Sequence, residues 1–227
     1  MKALLALIST ASAMRRLRIA ALSLAVVSLL AGPAQGQFGP PPHGTDVHDA
    51  SALKPPAGAR VAIVEFLDLQ CPDCAHANPV VNEAVAKYQI PLVRYDFPLP
   101  FHSWSLAAAI NARWFDTKGK AIGGEYRDKV FANQPSIKST GDLTAFTLKF
   151  AAAHKLQLPA AVDPSGELAR LVKADYALGQ GIGVEHTPTI WIVTAGSRGA
   201  PFVEVVDRGQ LLQMIEQALK DTTTKTP

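Results

Sequence analysis

The sequence predicts an α/β fold, a central mixed sheet flanked by helices and carrying an inserted helical subdomain. Three stretches predict it: a strand, helix and strand over residues 60–97, a series of Ala-rich amphipathic stretches over 103–178, and two β-rich runs with a closing helix over 189–220. With 227 residues, 48% hydrophobic and 18% charged, the chain is long and apolar enough to bury one core without being divided.

The first 36 residues read as a secretory signal peptide. Arg15, Arg16 and Arg18 precede an apolar run over 19–31, and Ala34-Gln35-Gly36 supplies small residues for cleavage after Gly36. Met1 and Met14 are both candidate starts. The run is shorter than the ~20 residues a membrane-crossing helix needs and ends in Gly32-Pro33, so cleavage is expected rather than anchoring. The mature chain is then expected to be periplasmic or otherwise extracytoplasmic and free of the membrane. Cleavage would remove four of the 22 basic residues and none of the 19 acidic ones, leaving a formal charge of −1. No basic face remains to bind nucleic acid, and that class of function drops out.

Residues 37–59, rich in Pro, Gly and small residues, lack apolar periodicity and read as a flexible linker. Residues 60–67 (Arg-Val-Ala-Ile-Val-Glu-Phe-Leu) form a nearly continuous apolar run, the mark of a strand covered on both faces, with Glu65 its one anomaly. Residues 72–88 read as a helix with Pro72 at an early position, Val80, Val81, Ala84 and Val85 toward a core, and Pro79 as a kink. A second strand over 91–97 completes a unit that implies a parallel pair with a right-handed crossover.

Four helical stretches follow, at 103–117, 126–133, 142–154 and 165–178, and make residues 103–180 a helical insertion between a first part at 60–102 and a second at 181–220. Runs at 189–194 and 201–206 read as a hairpin, 210–220 as a final helix, and 221–227 as a disordered tail. Gly179, Gly181 and Gly183 follow a helix rather than a strand, which favours turn chemistry over phosphate binding.

The chemistry is expected at Cys71-Pro72-Asp73-Cys74, the only cysteines in the chain. Closing so short a loop removes little entropy from the unfolded chain, so a purely stabilising disulfide is a poor explanation. Exchange of disulfides needs an attacking thiolate and a second thiol close enough to resolve the mixed disulfide. A pair at a strand-to-helix junction supplies both, because the unpaired N–H groups at a helix start favour the anion of Cys71. Cys74, one turn deeper, is expected to act second. Metal binding is the chief rival, with His76 or His186 as a third ligand, but zinc sites usually take four ligands. No metal and no cofactor are therefore expected. His76 is read as a surface residue, Trp104, Trp114 and Phe101 as core, and Asp96 and Asp116 as lacking any acid–base pairing.

Three segments carry a resemblance: Glu65-Phe-Leu-Asp-Leu-Gln-Cys71-Pro-Asp-Cys74, Arg94-Tyr-Asp-Phe-Pro-Leu-Pro-Phe-His102, and Gly183-Val-Glu-His-Thr-Pro188-Thr. On these the chain resembles the DsbA-like branch of the thioredoxin superfamily over roughly residues 58–220. The resemblance implies a thioredoxin-like fold with a four- or five-stranded sheet and the helical insertion packed over the active site. It implies that Pro188 is a cis-proline and that Thr187 before it offers backbone pairing to an extended substrate. It also implies that Glu65 is a buried acid assisting proton transfer at the second thiol, for which burial among apolar neighbours would raise the pKa. His186, beside the proline loop, is a further candidate for substrate contact.

Where strongly oxidising members of that branch carry His between the cysteines, this chain has Asp73. Like-charge repulsion from Asp73 is expected to weaken the Cys71 thiolate and so give a less oxidising couple than DsbA. The expected partners are protein thiols and disulfides as substrates and a redox partner that resets the pair. A monomer is expected, because residues 37–59 are too short for the dimerising domain that isomerases of the superfamily carry. A peptide-binding or chaperone module without redox turnover is the alternative.

Overall fold

The structure is a computed structural model that describes residues 44–196 and 199–223. The expected signal peptide, residues 37–43 of the expected linker and residues 224–227 lie outside the described residues.

Strand β1 (Val61–Leu67) is buried along its whole length, and its side chains divide by the two-residue period of a strand. Val61 and Ile63 join a cluster with Ala77, Val81, Ile190, Ile192, Leu211 and Ile215. Ala62, Val64 and Phe66 face the other way, into a cluster with Phe97, Ile182, Trp191 and Val193. This two-sided burial is why the run reads as continuous rather than alternating. Helix α1 (Pro72–Tyr88) follows and leads into β2 (Leu92–Asp96), which pairs parallel to β1.

The expected insertion consists of α2 (Ser105–Asp116), α3 (Lys120–Asn133), a short 3-10 turn at Gln134–Ser136, α4 (Thr140–Ala153) and α5 (Glu167–Ile182). Its core is built on Phe115, Tyr126 and Phe150, whose rings approach to between 4.6 and 5.2 Å. The same cluster includes Trp104, Trp114, Cys71 and Cys74, so the insertion packs directly on the cysteine pair. The two tryptophans are core as expected, whereas Phe101 is largely exposed. The sheet is completed by β3 (Thr189–Thr194), antiparallel to β1, and β4 (Phe202–Glu204), antiparallel to β3, giving the order β2-β1-β3-β4. Helix α6 (Leu211–Thr223) covers the face already occupied by α1.

Three expectations are corrected. Residues 44–59 are not a free tether: Leu53 is buried in the core, the Thr45 N–H donates to Glu204 at 2.6 Å, and the His48 N–H donates to the Ile182 carbonyl at 2.8 Å. Pro and Gly content predicted the lack of regular structure but carried no information about contacts. Residues 221–223 are not tail but the last turn of α6, where Thr222 returns its hydroxyl to the Ala218 carbonyl at 3.0 Å. Gly179 and Gly181 lie within α5 rather than in a turn after it, and only Gly183, at φ 108°, ends the helix. A side-chain carbon at Gly179 would sit 2.7 Å from the Phe97 ring, so glycine there is required by close packing.

Candidate active site

Cys71 is the N-cap of α1, with extended backbone (φ −72°, ψ 122°), and Pro72 occupies the first helical position, where a missing N–H costs nothing. Cys71 keeps 7% of its surface exposed and Cys74 keeps none. Both are free thiols. The environments split their acidities. The Cys71 pKa is lowered from an ordinary 9.0 to about 6, first by a hydrogen bond from the Cys74 thiol, against the opposing effect of burial, with help from Thr187 and the N–H groups of Cys74 and Asp73. Cys74 is pushed well above the usual thiol range, first by burial and then by the Cys71 sulfur beside it. The pair is thus one acidic thiol with a slight solvent opening and one buried thiol that keeps its proton.

The Thr187–Pro188 peptide bond is cis, and it brings the Thr187 carbonyl oxygen to 3.2 Å from the Cys71 sulfur, where it accepts the thiol proton. The Thr187 hydroxyl is buried without a hydrogen-bond partner among the described residues, a donor open to that sulfur once it becomes an anion. His186 is exposed and lines a separate cavity of about 470 Å³ with Gly44, Asp46 and Gln180. Its carbonyl accepts from Thr189, and among the described residues no hydrogen bond or ion pair joins its ring to either sulfur. Of the three residues expected around substrate, Thr187 is therefore at the sulfur, Pro188 follows it through the cis bond, and His186 faces elsewhere.

Glu65 is buried as expected but not alone. It lies opposite Arg94 in the β1–β2 register, and the Arg94 Nε donates to its carboxylate at 2.8 Å. The same guanidinium donates to Asn78 at 2.7 Å, and Asn78 and Asn82 of α1 both donate to Asp128 of α3. The apolar neighbours in β1 point to that burial but not to the countercharge, because a partner 29 positions away on the neighbouring strand leaves no mark in local periodicity.

Other residues around the sulfurs were not singled out by the sequence. The Asp68 N–H donates to the Cys74 sulfur at 3.4 Å, and its carboxylate accepts from Gln70, Leu99, His102 and Ser105. Gln134 donates to the carbonyls of Leu69 and Cys71, and Gln70 accepts from the Trp104 N–H. Asp68 and His102 both lie in the segments that carry the resemblance, yet nothing in their spacing shows that they meet.

Asp73 departs from its expected role. Its carboxylate is exposed and 3.9 Å from His76 Nδ1, itself on the surface as expected, while its backbone N–H favours the thiolate. Beside Pro72 a groove of about 490 Å³ opens between Ala75, His76, Trp104, Gln134 and Ile137. Asp96 pairs with Arg113, and Asp116 accepts both ends of the Arg127 guanidinium at 2.9 Å, ion pairs that tie the insertion together. Among the described residues no cluster of three or more His, Cys, Asp or Glu is placed to hold a metal ion, and no helix is long and apolar enough to cross a membrane.

A four-stranded mixed sheet, a helical insert over its active end, and a Cys-x-x-Cys at a strand-to-helix junction facing a cis-proline loop define a thioredoxin-like fold. The chain belongs to the thioredoxin family: the family model described as "Thioredoxin" matches residues 57–196. Among solved structures it is similar to the thiol-disulfide exchange protein alpha-DsbA2 from Wolbachia pipientis, at 17% identity and TM-score 0.57, covering 72% of this chain and 84% of that one. It is also similar to oxidised BdbD from Bacillus subtilis, at 19% identity and TM-score 0.57 over 78% and 98% of the two chains. Proteus mirabilis ScsC is a third, at 17% identity and TM-score 0.56 over 73% and 71%. At these identities the likeness is one of fold. None of the curated proteins matches the chain in sequence.

Proposed function

We propose that the chain is an exported protein thiol–disulfide oxidoreductase working through Cys71 and Cys74. The observation that carries the reading is the geometry of the pair: Cys71 caps α1 with a slight solvent opening and its sulfur on the Thr187 carbonyl beside the cis-proline, and Cys74, one turn deeper, is fully buried. At neutral pH the Cys71 thiolate attacks one sulfur of a substrate disulfide, forming a mixed disulfide and releasing the other substrate sulfur. Cys74 then loses its proton and attacks Cys71. The bond between the two protein cysteines forms, the bond to substrate breaks, and the substrate leaves reduced while the protein is left oxidised. The same steps reversed oxidise a dithiol substrate.

Thr187 and Pro188 receive the substrate chain against the sulfur, and the groove beside Pro72 gives its flanking residues an apolar wall. Glu65, whose charge raises the Cys74 pKa, assists proton transfer at that thiol during resolution. With no imidazole between the cysteines, the couple is a weaker oxidant than DsbA. The substrates are protein thiols and disulfides, a separate redox partner resets the pair, and the protein works as a monomer outside the cytoplasm. The test is turnover of a disulfide-bonded and of a dithiol protein substrate by the wild type and by Cys71→Ser. The reading requires activity in at least one direction that Cys71→Ser abolishes. Equal activity in the variant would refute it, and no turnover by the wild type in either direction would leave the peptide-binding module in its place.

A further inference from the structure

We propose that Asp68 is a positioning residue for the second half of the exchange, holding its own N–H on the Cys74 sulfur while negative charge develops there. The inference rests on the disulfide-exchange reading above and extends it to a residue that touches neither substrate nor Cys71's sulfur.

The Asp68 side chain is wholly buried, an expensive place for a carboxylate unless its lone pairs are all used. They are. One oxygen accepts from the Gln70 N–H at 2.7 Å and from the Ser105 hydroxyl, and the other accepts from the Leu99 N–H and His102 Nδ1, each at 2.7 Å. These donors come from two regions: the loop that carries Cys71, and the β2–α2 connection with the first residue of α2. The backbone of Asp68 is held as well. Its carbonyl accepts the Cys71 N–H at 3.1 Å, and its N–H reaches the Cys74 sulfur at 3.4 Å. The side chain therefore anchors a peptide unit whose free direction is set by the helical insertion, and that unit presents a donor to an otherwise closed sulfur.

Charge on Cys74 is common to both directions of exchange. When substrate is reduced, the Cys74 thiolate attacks Cys71, the intramolecular disulfide forms, and the substrate sulfur departs with the electron pair and takes a proton from water. When substrate is oxidised, its thiolate attacks Cys71 and Cys74 departs with the electron pair. A hydrogen bond to the charged sulfur speeds either step, as attacking or as leaving group. Burial and the neighbouring Cys71 work against that charge, and the Asp68 N–H works for it.

The experiment treats the reduced full chain with an aromatic disulfide whose thiolate product is coloured. The first coloured thiolate reports attack by Cys71 and scales with reagent concentration. The second reports attack by Cys74 on the mixed disulfide and does not. Asp68→Asn keeps the size of the side chain but leaves two of the four donors facing an amide, and Ser105→Ala withdraws one donor with the carboxylate kept. The expected result is a second phase about tenfold slower in Asp68→Asn and slowed less in Ser105→Ala, with the first phase within about twofold of wild type. If both phases slow together, or if the second is unchanged in either folded variant, Asp68 is structural only and the inference is overturned. Should Asp68→Asn fail to fold, Ser105→Ala alone decides. A wild type that shows the first phase and never the second overturns the exchange reading itself, and this inference with it.

Discussion

Replacing Cys74 with alanine removes the largest of the influences that lower the Cys71 pKa, the hydrogen bond from the Cys74 thiol. A hydrogen bond to a charged group is worth about 1.5–3 kcal/mol, and one pKa unit corresponds to about 1.36 kcal/mol. The Cys71 midpoint should therefore climb from about 6 by about one to two units, to about 7–8. At pH 7 the thiolate fraction would fall from about 90% to about 10–50%. The assay is the pH dependence of Cys71 alkylation under pseudo-first-order conditions, read by mass spectrometry. A second readout follows from linkage. The folded pKa of Cys71 lies below its ordinary 9.0, so the unfolded chain binds more protons between the two values. The stabilisation is complete above pH 9, declines as pH falls, and is gone below about 6. Reduced wild type should lose that stability on acidification from pH 9 to 6, and the variant should lose less. An alkylation midpoint still near 6 in Cys74→Ala would show that the helix start and Thr187 hold the thiolate without Cys74, and would refute the reasoning.

Three further outcomes are expected. Gly179→Ala drives a methyl group into the Phe97 and Phe66 rings, at 2.7 and 2.9 Å, and should cost about 1–2 kcal/mol in denaturant unfolding, the upper part of the overpacking penalty, about 2–3 kcal/mol, less a helix-propensity gain of about 1; an unchanged midpoint would contradict the packing. Arg94→Met strands the Glu65 carboxylate in the interior and should cost about 3–5 kcal/mol in denaturant unfolding near neutral pH; a change under about 1 kcal/mol would contradict the pairing. Asp73→His puts an imidazole at the second residue after Cys71 and should raise the reduction potential by about 30 mV for each pKa unit by which the thiolate is further stabilised; a potential that falls would contradict the argument for a weak oxidant.

The elements that local patterning specifies were legible in the sequence. The run at 60–67 became β1, Pro72 marked the start of α1, and the Ala-rich stretches became α2 to α5, because period and helix-start chemistry act within a few residues. The cysteine pair was legible for the same reason. The segment 44–59 was not, since its order comes from contacts with α5 and Glu204, far along the chain. Arg94 opposite Glu65, and His102 and Ser105 on Asp68, were hidden in the same way: each is an ordinary polar residue until the sheet register and the β2–α2 connection bring it to its partner. Asp73 shows the opposite error. Closeness in sequence predicted repulsion at Cys71, whereas the helix start turns the carboxylate out toward His76 and the N–H in toward the sulfur.

The most direct test of the central claim is equilibration of the full chain with glutathione buffers of graded ratio, with acid quenching and mass determination of the cysteine state. The account predicts one reversible two-electron transition between the dithiol and the Cys71–Cys74 disulfide, at a potential below DsbA's, about −120 mV, and absent in Cys71→Ser. Two cysteines that stay reduced across the whole range, or that form only separate adducts with glutathione and never bond to each other, would contradict it.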